Sequence, residues 1–163
     1  MKKITFLLLG TNLGDRKKNL SIARSAIEVS VGTIIKASSI YQTAAWGKTD
    51  QPDFLNQALE IQTSLSPEEV LAEILKIEYT MGRTRDQHWG ERIIDIDILL
   101  FEKEIISSTT LKIPHPALAS RRFALEPLTE IAGDVTHPVL QLTIQEMLAQ
   151  CPDLLEVRRL IDK

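Results

Sequence analysis

The chain begins with a continuous apolar run, residues 4–9, that stops at Gly10. A run this short, ended by a turn residue, predicts a buried strand. Beyond Asp15, a candidate helix cap, Leu20, Ile22, Ala23, Ala26, Ile27 and Val29 recur at roughly helical spacing and predict a helix. β-branched residues then gather at Val31, Thr33, Ile34 and Ile35. With Ile40, Tyr41 and Thr43 they carry an extended reading as far as Ala44, a second strand.

Residues 45–53 have Gly, Pro and polar side chains without period, which reads as a long loop. From Phe54 to Thr63 two interleaved sets alternate, with Leu59 and Ile61 on the core side of a third strand. Ser66 as cap, Pro67 in the first position and Glu68 and Glu69 in the first turn open a second helix. Val70, Leu71, Ile74 and Leu75 continue it to about Met81. After a second polar segment, 82–92, an apolar strand covers 93–101.

The order is therefore βαββαβ, and the expected class is α+β. It predicts a ferredoxin-like core, an antiparallel sheet with both of these helices on one face. A turn-rich piece around Pro114, His115 and Pro116 follows, then C-terminal helices over about 123–132 and 143–149.

Length and composition narrow the class. A chain of 163 residues, 44% hydrophobic, suits one domain over residues 1–163. The net charge of -3 lacks the basic excess of an extended nucleic-acid surface, so no nucleic-acid partner is expected. Met1-Lys2-Lys3 before an apolar run resembles a secretory leader, but the run is too short and no small-residue cleavage site follows. No stretch reaches the roughly 20 apolar residues of a membrane span, and Cys151 has no disulfide partner within the chain. The expectation is a cytoplasmic protein without a membrane partner.

The chemistry concentrates in Ile94-Asp95-Ile96-Asp97-Ile98. A period of two puts both carboxylates on one strand face and the isoleucines on the other. Neighbouring carboxylates repel; in a cleft one must take up a proton, or a divalent cation must hold both as anions. For a lone Asp-x-Asp a solvated strand face is the commoner explanation, and context changes that. Here Arg83, Arg85 and Arg92 precede the pair within fifteen residues, and Arg121 and Arg122 follow His115. Guanidinium groups match phosphate oxygens, so this is the composition of a metal-nucleotide site.

Four pieces together resemble the 6-hydroxymethyl-7,8-dihydropterin pyrophosphokinases: Gly10-Thr11-Asn12-Leu13, Asp50 through Asn56, Arg83 through Asp97, and Pro114-His115 with Arg121 and Phe123. The Trp-Gly-x-Arg-x-x-Asp-x-Asp run is the most specific, and the resemblance covers nearly the whole chain. It implies transfer of the terminal diphosphate of ATP to the hydroxymethyl group of a reduced pterin, in folate biosynthesis. It implies Asp95 and Asp97 as ligands of two Mg²⁺ ions, with Arg83, Arg92 and Asp97 catalytic. Arg83, Arg85, Trp89, Arg92, His115 and Arg121 would hold the nucleotide. The pterin would meet Asn56 at its edge, Phe54 and Phe123 on its faces, and the backbone at Thr43, Ala45 and Trp46. Small-molecule substrates and a monomeric state complete the expectation.

The chain departs from the family at Ala44-Ala45-Trp46, where many members have Pro-Pro-Leu, and at Thr110, where well-known members place an Arg on the nucleotide. Pro116 follows His115 in place of an aromatic residue. Two rival readings use the same residues: a metal-dependent phosphohydrolase, and a nucleotide or pterin sensor without turnover.

Overall fold

Alternate residues of strand β1 (Lys3–Thr11) feed two separate apolar clusters, Leu7 and Leu9 one of them, Phe6 and Leu8 the other. The strand is therefore covered on both faces, which is why its sequence is apolar without alternation. The computed structural model describes residues 2–44, 52–82 and 93–160.

Helices α1 (Arg16–Ser30) and α2 (Pro67–Thr80) cover the Leu7 face with Leu20, Ala23 and Ile27, and with Val70, Ile74 and Ile77. Both start where local chemistry satisfies free backbone N–H groups. Asp15 accepts from the Lys18 N–H at 3.2 Å. Ser66 and Glu69 form a reciprocal capping box behind Pro67. On the other face, α3 (Arg122–Ala132) and α4 (Ile144–Ala149) bring Ala124, Leu125, Leu128, Ile144 and Met147 against Phe6 and Leu8.

Strands β4 (Phe54–Thr63) and β5 (Asp95–Phe101) flank β1, both antiparallel to it. The outer edge of β4 is shared by β2 (Thr33–Ala37) and β3 (Tyr41–Thr43), and β8 (Val157–Arg159) pairs with β3. The order β5-β1-β4 with β2 and β3 beyond is the ferredoxin-like arrangement expected from βαββαβ. A short hairpin, β6 (Ile106–Ser107) and β7 (Lys112–Ile113), and a 3-10 turn at Leu118–Ser120 lead into α3.

The expected single strand reaching Ala44 is corrected to two. Between the pairs Ala37↔Leu59 and Tyr41↔Asn56, four steps on one strand oppose three on the other. Ser38 occupies the break: its hydroxyl accepts from the Ala58 N–H at 2.9 Å, while its own N–H donates to the Ala58 carbonyl at 2.9 Å. A side chain thus takes a bond that the ladder would otherwise make, a bulge that re-aims β3. A second irregularity, in β5, places both Leu99 and Leu100 in the cluster under α3.

Candidate active site

The floor of the site is set by strand register. Gly10 pairs with Asn56 on one side and with Asp95 on the other; one pleat back, Leu8 pairs with Ala58 and Asp97. At about 4.8 Å per strand spacing, Asn56 and Asp95 lie roughly 10 Å apart across the sheet. Helices α3 and α4 cover Phe6 and Leu8, whereas toward Gly10 the same face opens into a cavity of about 790 Å³. That volume suits a small-molecule substrate.

Thr43, Ala44, Phe54 and Asn56 line the β3–β4 side of this cavity, Asp95 and Asp97 the β5 side, and Ser120, Arg121 and Phe123 come from the start of α3. Asn56 is 3% exposed. Thr43 is buried too, and among the described residues its hydroxyl has no hydrogen-bond partner. A buried hydroxyl left unbonded costs about 1–3 kcal/mol, so it marks a position where a ligand can repay the loss. The Arg121 guanidinium lies 5.6 Å from the centroid of the Phe123 ring, a cation–π contact that sets cation beside aromatic face.

His115 is oriented by two backbone groups. Its backbone N–H donates to the Leu99 carbonyl at 3.0 Å, and its ring Nδ1 accepts from the Ala117 N–H at 3.1 Å. Burial lowers the imidazole pKa below its usual value; Asp97 opposes that shift and Arg121 adds to it. The ring is therefore neutral near pH 7 with its proton on Nε2, a donor.

Glu78, near the end of α2, is 4% exposed, and its carboxylate accepts the Ile96 N–H at 2.8 Å. Ile96 stands between the two aspartates, so this bond holds the pleat that aims both at the cavity. On the opposite side, Arg16 donates to the Asp53 carbonyl at 2.7 Å and Gln42 to its carboxylate at 2.7 Å, fixing the chain as it enters Phe54.

The structure thus brings Thr43, Phe54, Asn56, Asp95, Asp97, Arg121 and Phe123 to one cavity, with His115 close enough to Asp97 and Arg121 for their charges to act on it. Ala45, Trp46, Arg83, Arg85, Trp89 and Arg92 lie outside the described residues. Sequence reasoning missed the C-terminal wall of Pro152, Asp153 and Leu155. Asp153 supplies the cap that α3 lacks: its carboxylate accepts from the Arg122 N–H at 3.2 Å and the Leu155 N–H at 2.9 Å, and Arg122 Nε donates to its carbonyl at 2.8 Å. Asp after Pro152, a turn-forming pair, was the available signal, and it names no partner.

Among the described residues no group of three or more His, Cys, Asp or Glu gathers as a metal cage. Two carboxylates are nevertheless what Mg²⁺ takes when substrate phosphates complete its shell. The donor set fits that ion.

Two carboxylates on β5, a cation against an aromatic ring at the start of α3, and a second ring with an amide on β4 suit phosphate transfer onto a flat heterocycle. The protein is an enzyme of the phosphotransferase class. Residues 6–133 match the family described as 7,8-dihydro-6-hydroxymethylpterin-pyrophosphokinase (HPPK). The 2-amino-4-hydroxy-6-hydroxymethyldihydropteridine pyrophosphokinase of Bacillus subtilis is 45% identical over 136 residues, 83% of this chain and 81% of that protein. The protein of the same name from Aquifex aeolicus is 43% identical over 141 residues, 86% of this chain and 88% of that one. The chain belongs to this family. A crystal structure of a Plasmodium falciparum HPPK-DHPS variant shares the fold, with a TM-score of 0.75 at 19% identity over 92% of this chain and 45% of that one.

Proposed function

We propose that this cavity performs the reaction of the family within the present chain, with the following division of labour. The protein is an ATP-dependent pyrophosphokinase of folate biosynthesis, transferring the pyrophosphoryl group of ATP to hydroxymethyldihydropterin. Asn56 offers both an amide donor and an acceptor to the pterin edge, and the unbonded Thr43 hydroxyl adds another polar contact. Phe54 and Phe123 receive the ring faces. The backbone at Ala45 and Trp46 completes the pterin contacts, on the strength of the resemblance.

Asp95 and Asp97 would hold two Mg²⁺ ions, which when bound would supply charge neutralisation for the triphosphate. Arg121 and the Nε2–H of His115 bind phosphate oxygens, and Arg83, Arg85, Trp89 and Arg92 act on the nucleotide from the segment before β5. The hydroxymethyl oxygen forms a bond to the β-phosphorus as its bond to the bridging oxygen breaks, and AMP leaves with that oxygen. The hydroxyl proton departs toward Asp97. The protein works as a single-domain monomer on small molecules in the cytoplasm. Among the described residues no helix is long and apolar enough to cross a membrane.

The observation that supports this reading is the register: Asn56, Gly10 and Asp95 stand in one row, an amide at one side of the floor and a carboxylate at the other. The test is to incubate the protein with ATP, Mg²⁺ and 6-hydroxymethyl-7,8-dihydropterin and to quantify both products. AMP and pterin diphosphate in equal amounts, abolished in Asp95→Ala and Asp97→Ala, are expected. ADP or free phosphate as the nucleotide-side product would refute it.

A further inference from the structure

Gly10 reads in sequence as the residue that ends a strand, yet β1 continues through it to Thr11. Nor does it use the conformational freedom of glycine, for among the described residues the glycines with positive φ are Gly14 and Gly82. A glycine inside a strand weakens it, and where no bulge or turn accounts for it, close approach of another group does. Here that group is the Asn56 side chain. A Cβ built on Gly10 would stand 2.8 Å from Oδ1 of Asn56, inside the distance real Cβ atoms keep. The Asn56 carboxamide therefore lies over the Gly10 backbone, in the space a side chain would fill. It is 3% exposed, and the open side beside it is the cavity it lines, so a side chain at position 10 would turn the amide into the space a ligand fills.

We infer that Gly10 is a positioning residue for substrate recognition: its missing side chain is the seat of the Asn56 carboxamide and the open floor between that amide and Asp95. The inference rests on Asn56 reading the pterin edge, as proposed above. Any larger residue at position 10 displaces the amide, and pterin affinity falls while the ATP side of the cavity is left intact. The chemistry selected is that of a flat ring presenting adjacent donor and acceptor atoms to one carboxamide.

The experiment is a double-mutant cycle with Gly10→Ala, Asn56→Ala and the double variant. The readouts are KM for pterin, KM for ATP, kcat and the urea midpoint of each. Gly10→Ala is expected to raise the pterin KM by roughly 10- to 100-fold, the loss of one or two amide hydrogen bonds, with ATP KM unchanged. The double variant should match Asn56→Ala alone, because the methyl group has no amide left to displace. Multiplying effects in the double variant, or an unchanged pterin KM in Gly10→Ala beside a raised one in Asn56→Ala, would overturn the role of Gly10 only. An unchanged KM in Asn56→Ala would overturn the reading of Asn56 as well. If Gly10→Ala does not fold, the double variant still decides: with the collision removed it should regain the urea midpoint of Asn56→Ala, and failure to do so refutes the inference.

Discussion

Replacing Thr43 with Val should make the free protein more stable and a poorer binder of pterin. The hydroxyl of Thr43 is buried, lines the cavity and has no partner among the described residues. Burying such a group unbonded costs about 1–3 kcal/mol. Valine keeps the volume and the β-branched shape that β3 favours, so Thr43→Val recovers about 1–2 kcal/mol of that cost. In a domain of this size that raises Tm by about 2–8 °C. With pterin bound, the wild type makes a hydrogen bond that the variant lacks; at about 0.5–1.5 kcal/mol the Kd rises roughly 2- to 12-fold. Differential scanning calorimetry of the ligand-free proteins and fluorescence titration with pterin measure the two signs separately. A variant less stable than wild type, or one that binds pterin equally well, would show that the hydroxyl is satisfied within the protein.

Asp97→Asn should cut turnover by about 10²- to 10³-fold, several kcal/mol at about 1.4 kcal/mol per decade, while the metal-free Tm stays at or above wild type because repulsion between the aspartates is gone. Stopped assays and melting curves check it, and a lowered metal-free Tm would argue that Asp97 is structural. His137 is buried, and its Nδ1 accepts from the Val139 and Leu140 N–H groups at 3.2 and 3.1 Å; burial lowers its pKa from 6.5. The unfolded chain therefore binds more protons than the folded one below about pH 6.5, so this contribution is complete above that pH and is lost as pH falls through the folded pKa. Urea midpoints should fall between pH 7.5 and 5 more steeply for wild type than for His137→Asn; parallel slopes would refute it. Asp153→Ala should cost about 0.5–2 kcal/mol, like the loss of a helix cap. By loosening the turn that carries Phe123 it should also raise the pterin KM about threefold or more with little change in ATP KM, and an unchanged ratio of the two would leave Asp153 a cap alone.

What was readable in the sequence follows from periodicity. The βαββαβ order, the capped start of α2 and the shared face of Asp95 and Asp97 all repeat within a few residues, so local pattern suffices. The break at Ser38 was not readable, because it depends on a hydroxyl meeting the Ala58 backbone twenty residues away. Strand β8 carries Arg158 and Arg159 on an exposed edge and has no apolar alternation to announce it. Glu78 falls on the buried side of α2, where a carboxylate is out of place, but the partner that explains it is the N–H of Ile96 on another element. The caps and walls missed share one property: the sequence shows the odd residue, and only the fold shows what it touches.

Site and core are also one geometric decision. In β4, Leu55 and Leu59 enter the cluster under α1 and α2, so Asn56 between them must face the cavity. In β5, Ile96 and Ile98 enter the same cluster, so Asp95 and Asp97 must face the cavity as well. A slip of either strand by one residue against β1 would expose leucine or isoleucine in the site and drive an amide or a carboxylate into the core. Burying an unpaired carboxylate there costs several kcal/mol, comparable with the whole stability of a domain, so the slipped register is excluded by the energy that folds the chain. The roughly 10 Å between the Asn56 and Asp95 positions is thus two strand spacings of a sheet whose register the hydrophobic core enforces.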